Sequence, residues 1–273
     1  MTVKYDSQDP YQLERIESKY TIPVGLIEPI SDFASIYCSL DRHAAASSDG
    51  FYRINNLYFD TPDFLFLRRR LANCENRFNM RIRSYSDTGT PPCFFEVKQR
   101  KDNAIKKMRS VVDDEDWRQL FDKPGHDPED GNRNGIISAS YKSLFLKLAL
   151  SYNAAPKVLT QYRRRAFVSQ VDDYGRVTID TDLRCQSREY YDVIPDDRQM
   201  VSCDDVTRFD PGCSAVLELK CYASYVPLWM SDLIRHFDLP RRSFSKYVAG
   251  ITRVLDRYRY DPSIRHAKEI LSS

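Results

Sequence analysis

The side chains best placed to do chemistry recur in one pattern, Glu-x-Lys. It occurs at Glu17/Lys19, Glu96/Lys98 and Glu218/Lys220, where random placement of ten Glu and thirteen Lys predicts fewer than one instance. Two copies share a longer shape, Phe94-Phe95-Glu96-Val97-Lys98 and Val216-Leu217-Glu218-Leu219-Lys220. In an extended strand residues i and i+2 share a face, so each acid stands beside its lysine while apolar neighbours point the other way. The other cations are mostly arginine, 28 Arg against 13 Lys. Guanidinium forks match phosphate oxygens bidentately. A cation-rich surface with a few carboxylates would hold a polyanion together with the divalent metal that polyphosphates carry.

Such faces need strands to present them. Alternation predicts strands over Arg15–Ile22, Tyr52–Phe59, Phe78–Tyr85, Cys93–Arg100, Ala104–Val111, Thr160–Gln170, Arg176–Leu183 and Ala215–Cys221. Glu96, Lys98 and Arg100 oppose Phe95 and Val97; Arg81 and Arg83 oppose Met80 and Ile82; Arg176, Thr178, Asp180 and Asp182 oppose Val177, Ile179 and Leu183. Amphipathic helices are expected over Glu28–Leu40, Ser138–Leu150, Pro227–Phe237 and Ser243–Tyr258, and Asp113–Phe121 opens with acids that suit a helix N-terminus. Arg68–Arg70 continues a helical pattern and reads as a solvated basic run. Asp41–Gly50, Asp122–Gly135 and Pro195–Gly212 read as loops, the middle one as a surface excursion within a single domain spanning 1–273.

Composition narrows the function classes. Forty-one Lys+Arg against 39 Asp+Glu leave a net charge of +2, which argues against a nucleic-acid binder that relies on bulk positive charge. Nine glycines form no phosphate loop of the Walker or dinucleotide type. No apolar stretch reads as a secretory signal or a membrane span. The seven cysteines never form C-x-x-C and the four histidines are scattered, so any metal should be hard and oxygen-bound, and the cysteines read as small hydrophobes in a reducing cytosol.

Taken strand by strand, a sheet packed on one side with its charges in water accounts for these faces. The sharper alternative is a closed barrel whose apolar faces pack outward against the helices and whose charged faces line a solvated lumen.

The segments ERIESKY, YRINNLYFDTPDFLFLRRRL, MRIRSY, FFEVK, QYRRRAF, RVTIDTDL, VLELK and FSKYVAGI, in that order along nearly the whole chain, resemble the catalytic domain of the vacuolar transporter chaperone (VTC) polyphosphate polymerases, within the triphosphate tunnel metalloenzyme superfamily. The resemblance implies an α+β fold with an eight-stranded antiparallel tunnel β-barrel, a charged lumen and flanking helices. It implies a phosphotransferase that moves the ATP γ-phosphoryl group to a growing inorganic polyphosphate chain with Mn²⁺ or Mg²⁺. On this resemblance Lys19, Arg81, Arg83, Lys98, Arg164, Arg176 and Lys246 match tunnel cations on the phosphate chain. So does Lys107, with the neighbouring Lys106 as the other register. Glu218 matches the metal-binding glutamate, with Glu17 or Glu96 as its partner. The superfamily opens with Glu-x-Glu-x-Lys, whereas this chain reads Arg15-x-Glu17-x-Lys19, a departure that favours the polymerase branch. The partners implied are ATP and polyphosphate, not nucleic acid. The form implied is a stand-alone cytoplasmic protein without a membrane span, to which a separate membrane partner could attach. A hydrolase of triphosphate or polyphosphate, and a non-catalytic polyphosphate-binding module, are the other readings.

Overall fold

In the computed structural model of the chain, residues 15–102, 104–121, 133–204 and 214–257 are described. The strands are β1 (Arg15–Ile22), β2 (Cys38–Leu40), β3 (Tyr52–Asp60), β4 (Asn76–Ser84), β5 (Cys93–Lys101), β6 (Ala104–Val112), β7 (Ala155–Ser169), β8 (Gly175–Ser187), β9 (Val201–Ser202) and β10 (Ala215–Tyr222). The helices are α1 (Ile27–Ser35), α2 (Arg42–Ala45), α3 (Leu65–Leu71), α4 (Arg133–Ser151), α5 (Leu228–His236) and α6 (Lys246–Arg257). The strands hydrogen-bond in the order β1-β10-β8-β7-β3-β4-β5-β6, with β2 on β7 and β9 on β8. The eight strands of that path are the eight that alternation predicts, and the fold is α+β with an antiparallel sheet as expected. Among the described residues no strand pairing joins β1 to β6.

Tertiary contacts divide the chain into two compact units, one within 1–52, 164–181 and 208–244, the other within 53–163, 182–207 and 245–273. The first unit is built on alternation. Tyr20 and Ile22 of β1, Ala215, Leu217, Leu219 and Cys221 of β10, and Val177 and Ile179 of β8 are buried in one core with Ile27, Ile30 and Ala34 of α1 and Trp229, Met230 and Leu233 of α5. Trp229 is pinned at its polar end, its Nε1 donating to Asp172 at 2.7 Å.

The second unit has two cores. Met80 and Ile82 of β4, Phe95 and Val97 of β5 and Met108 and Val112 of β6 pack on Phe145 and Ala149 of α4 and on Trp117. Tyr58 of β3, Val158 of β7 and Cys185 of β8 pack on Tyr247, Ile251, Val254 and Leu255 of α6. A fully buried carboxylate ties these parts together. Asp60 accepts the backbone N–H groups of Phe66 and Leu67, each at 2.9 Å, and so serves orphan donors at the start of α3. It also accepts the hydroxyl of Tyr247 from α6. Burial raises the Asp60 pKa above its ordinary value despite these donors, and burial beside Asp60 raises that of Tyr247.

Several boundaries differ from the sequence reading, each for a local reason. The helix expected to run to Leu40 stops at Ser35, because the N–H groups of Ile36 and Tyr37 bond back three residues to Phe33 and Ala34. Cys38–Leu40 then extends to pair with Phe167–Ser169, a strand that the helical spacing of Leu40 concealed. The stretch at 41–50 holds a short helix, α2, because Asp41 accepts from the N–H groups of His43 and Ala44 at 3.1 and 2.8 Å. Asp113–Phe121 forms only a 3₁₀ turn over Trp117–Phe121. Helix α4 begins at Arg133, inside the stretch read as a loop, and 122–132 lies outside the described residues, as do 205–213 of the third expected loop and Tyr258 of the last expected helix. Residues 201–202 of that third loop pair with β8.

Candidate active site

The register of the strands decides which charged side chains meet. In the first unit Lys19 of β1 is directly opposite Glu218 of β10, and Glu17 is opposite Lys220; across β10, Lys220 is opposite Arg176 of β8 and Glu218 is opposite Thr178. These residues share the face turned away from the Ile22–Leu217–Ile179 core. The Lys19 ammonium lies 3.1 Å from both Glu17 and Glu218, and Lys220 lies 2.9 Å from Glu218. Burial pulls the Lys19 pKa down, but attraction to Glu218 and Glu17 outweighs it, and the pKa rises above its ordinary value. Lys19 also donates to the Phe244 carbonyl at 3.4 Å. Arg176 is exposed, its guanidinium 5.6 Å from the Tyr174 ring centre. Arg164 of β7 forms a bidentate pair with buried Asp180 at 2.6 and 2.7 Å, while its neighbour Arg165 turns to Glu28 and Ser31 of α1.

In the second unit the cations crowd a single carboxylate. Arg81 of β4, Glu96 of β5 and Arg109 of β6 stand in one cross-strand row. Buried Glu96 receives Arg81 Nε at 2.7 Å and Nη2 at 2.6 Å, Lys107 at 2.8 Å and Arg109 at 2.9 Å, with Arg83 at 4.0 Å. Burial pushes the Glu96 carboxyl up, but the surrounding Arg83, Arg81, Lys107 and Arg109 hold it well below the usual carboxylate range. Arg83 donates to Asn56 at 3.0 Å and Arg81 to the Tyr58 hydroxyl at 3.2 Å, which orients both guanidiniums. Lys107 is pulled down to about 7, by burial first and then by Arg81 and Arg83, with Glu96 offsetting part of the fall. Water still reaches 45% of its side chain, so the ammonium is available to an incoming anion.

Lys107 lies on the face of Glu96, while Lys106 pairs with Gln99 one position over, on the other face. Half-buried Lys98 is in register between Asn79 and Lys107. Lys246 opens α6 with its ammonium 4.7 Å over the Tyr162 ring, and the N–H of Val248 donates to Ser245 just ahead of it at 3.4 Å. Lys246 is buried, not the ordinary surface residue that a helix start can be.

The expected residues thus fall in two sets. Glu17, Lys19, Arg164, Arg176 and Glu218 belong to the first unit, and Arg81, Arg83, Glu96, Lys98, Lys107 and Lys246 to the second. Sequence reasoning missed Arg109, although it stands two residues after Lys107 and shares its face; that spacing was the available signal. It named Lys220 in the Glu-x-Lys pattern without giving it a place among the tunnel cations, and it left out Tyr58; the partners of both depend on register.

Among the described residues no three His, Cys, Asp or Glu side chains converge. Four cations crowd Glu96, and Glu218 has a lysine on each oxygen, but Glu218 shares Lys19 with a second carboxylate, Glu17. Glu17 and Glu218 fit a divalent ion better. They are two carboxylates around one ammonium, and Mg²⁺ is commonly held by one or two carboxylates plus substrate phosphates and water.

The VTC domain model matches residues 14–255. The chain belongs to the VTC domain family. The resemblance carried by the sequence motifs is borne out at that level. No curated protein matches the sequence. Among solved structures, a candidate adenylate cyclase from Bacillus halodurans is similar at 12% identity, over 85% of this chain and 94% of its own, with a TM-score of 0.48. A candidate adenylyl cyclase from Hippeastrum, with a dominant triphosphatase activity, is similar at 14% identity over 88% and 96%, with a TM-score of 0.46. A protein from Pyrococcus horikoshii is similar at 9% identity over 90% and 99%, with a TM-score of 0.43. No described helix is long and apolar enough to cross a membrane.

Proposed function

We propose that this VTC-domain chain is a metal-dependent polyphosphate polymerase, which transfers the γ-phosphoryl group of ATP to the end of a growing inorganic polyphosphate chain and releases ADP. The observation that carries the reading is the imbalance around Glu96: Arg81, Arg83, Lys107 and Arg109 surround one carboxylate, leaving an excess of positive charge turned away from the apolar core. A pure structural ladder would match acid to base; an excess of forked cations suits a phosphate chain.

In this reading Arg81, Arg83, Lys98, Lys107 and Arg109 hold phosphoryl oxygens, with Arg81 and Arg83 aimed by Tyr58 and Asn56. Lys19, Lys220 and Arg176 do the same on the other charged face, and Lys246 adds a cation at the start of α6. Glu218 and Glu17 would hold Mn²⁺ or Mg²⁺, which supplies Lewis-acid neutralisation of phosphoryl oxygens when bound. The terminal oxygen of the acceptor chain attacks the γ-phosphorus in line as the bond to the ADP oxygen breaks. The fixed cations stabilise the charge of a loose transition state without reorganising. A barrel closed around the charged faces, the arrangement that the resemblance implies, belongs to this proposal because it would exclude water and favour transfer over hydrolysis. So do a cytoplasmic location and polyphosphate as partner.

Incubation of the purified chain with ATP and Mn²⁺ or Mg²⁺, following ADP, orthophosphate and chain length together, tests it. ADP with lengthening chains is the expected result. Orthophosphate without chains makes the protein a hydrolase, and binding without turnover makes it a polyphosphate-binding module.

A further inference from the structure

One row of the first unit's charged face carries two tyrosine rings beside its cations, which phosphate binding alone does not require. Beyond the row of Glu17, Lys220 and Arg176, Arg15 stands directly opposite Tyr222. The Tyr222 ring lies 5.1 Å from that of Tyr174, which immediately precedes β8. The Arg15 guanidinium lies 4.5 Å over Tyr174 and 5.9 Å from Tyr222, and Arg176 approaches Tyr174 from the phosphate side at 5.6 Å. Both tyrosines are half-buried and both arginines exposed. Two aromatic faces and two guanidiniums therefore gather about 7 Å, one side-chain repeat along the strand, from Glu17 and Lys220.

We propose that Tyr174, Tyr222 and Arg15 form a nucleobase seat, which takes the purine of a nucleoside triphosphate whose phosphates lie on Lys220, Arg176 and Lys19. Every base offers a π-face to an aromatic ring, and its ring nitrogens accept from a guanidinium. An inorganic phosphate oligomer can meet the guanidiniums but has no ring to set against Tyr174 and Tyr222. The inference rests on the polymerase reading for its phosphate half. It adds that nucleotide substrate is recognised at both ends, and it gives Arg15 a role on the base.

Calorimetric titration of the full chain without divalent metal, so that nothing turns over, compares ATP with tripolyphosphate. The wild type should bind ATP more tightly than tripolyphosphate. The variant Y174L/Y222L, which keeps apolar bulk, should bind ATP about tenfold more weakly, the scale of one lost base–aromatic stack, with tripolyphosphate affinity unchanged. Wild-type affinity for tripolyphosphate without preference for ATP, or equal weakening of both ligands in the variant, overturns the base seat and leaves the phosphate site standing. Wild-type binding of neither ligand overturns both. Saturation-transfer NMR on the wild type requires no variant to fold: magnetisation from aromatic protein protons should reach adenine H2 and H8, and its absence from bound ATP rejects the seat.

Discussion

Arg81 and Glu96 face one another across β4 and β5, joined by two guanidinium nitrogens on a single carboxylate oxygen at 2.7 and 2.6 Å. The pair is the hub of the second unit's charged face, because Lys107 and Arg109 reach the other oxygen from β6. Removing the acid leaves buried Arg83 and part-buried Arg81 without their carboxylate. Glu96→Gln should therefore cost about 3 kcal/mol of stability, read as a lower denaturant midpoint at unchanged slope. Tripolyphosphate should restore more of that loss in the variant than it adds to the wild type, because the ligand supplies the missing negative charge. A variant as stable as the wild type would show that Glu96 does not hold these cations together.

The depressed pKa of Lys107, about 7, makes anion binding depend on pH. An anion beside the ammonium favours its protonated form, so binding takes up a proton wherever free Lys107 is neutral, above about pH 7. Affinity for tripolyphosphate should fall as pH rises from 7 to 9, and Lys107→Arg should flatten that dependence because arginine stays charged. The stability linkage has the opposite slope. Between the folded value near 7 and the unfolded value near 10.5, the unfolded chain holds the extra proton, so this group's contribution to stability rises with pH over that window. Titration calorimetry across pH 7–9 for both proteins checks the binding arm; a curve as steep in Lys107→Arg assigns the proton to another group.

Arg176 separates catalysis from folding because it is exposed on β8 while its in-register neighbour Lys220 is held by Glu218. On the proposed reading Arg176→Ala should lower kcat/KM for ATP by about 10²-fold, the scale of one preorganised charge-stabilising donor. Its stability should stay within about 0.5 kcal/mol of the wild type, as for surface substitutions generally. Initial rates of ADP release beside a thermal melt decide it, and unchanged turnover would remove Arg176 from the machinery.

The long strands were legible because one face of each packs on a core, and alternation records that directly. Phe95 and Val97 against Glu96 and Lys98 predict β5, just as Leu217 and Leu219 against Glu218 and Lys220 predict β10. Partnership was not legible, because it depends on register between strands distant in sequence. FFEVK places Lys98 beside Glu96 on one strand, yet the cations held on Glu96 include Arg81, Lys107 and Arg109 from the strands on either side. Which of Lys106 and Lys107 shares the face of Glu96 needed the pairing of β5 with β6, where Lys98 meets Lys107. Within Arg163-Arg164-Arg165, position two before Ala166-Phe167 marked Arg164, but nothing local to that run pointed to Asp180. Asp60 was hidden for the same reason, since its donors come from α3 and from α6, 187 residues away.

Gly250 shows how closely α6, the helix that begins with Lys246, must approach the sheet. A Cβ at Gly250 would stand 2.8 Å from the Thr160 methyl of β7 and 3.4 Å from Cys185 of β8. Thr160 and Cys185 are fully buried β-strand residues and cannot swing aside into solvent. Helix propensity alone favours alanine over glycine by up to about 1 kcal/mol. Overpacking a buried contact costs about 1–3 kcal/mol. Packing should win, so Gly250→Ala should lower stability despite the better helix former. Because the clash pushes α6 off β7, it should also shift Lys246 relative to Tyr162 and weaken phosphate-chain affinity. Equilibrium unfolding and tripolyphosphate titration of Gly250→Ala test the two effects. A more stable variant would mean that α6 relaxes away from Thr160 without cost, and unchanged affinity would separate the placement of Lys246 from the packing of its helix.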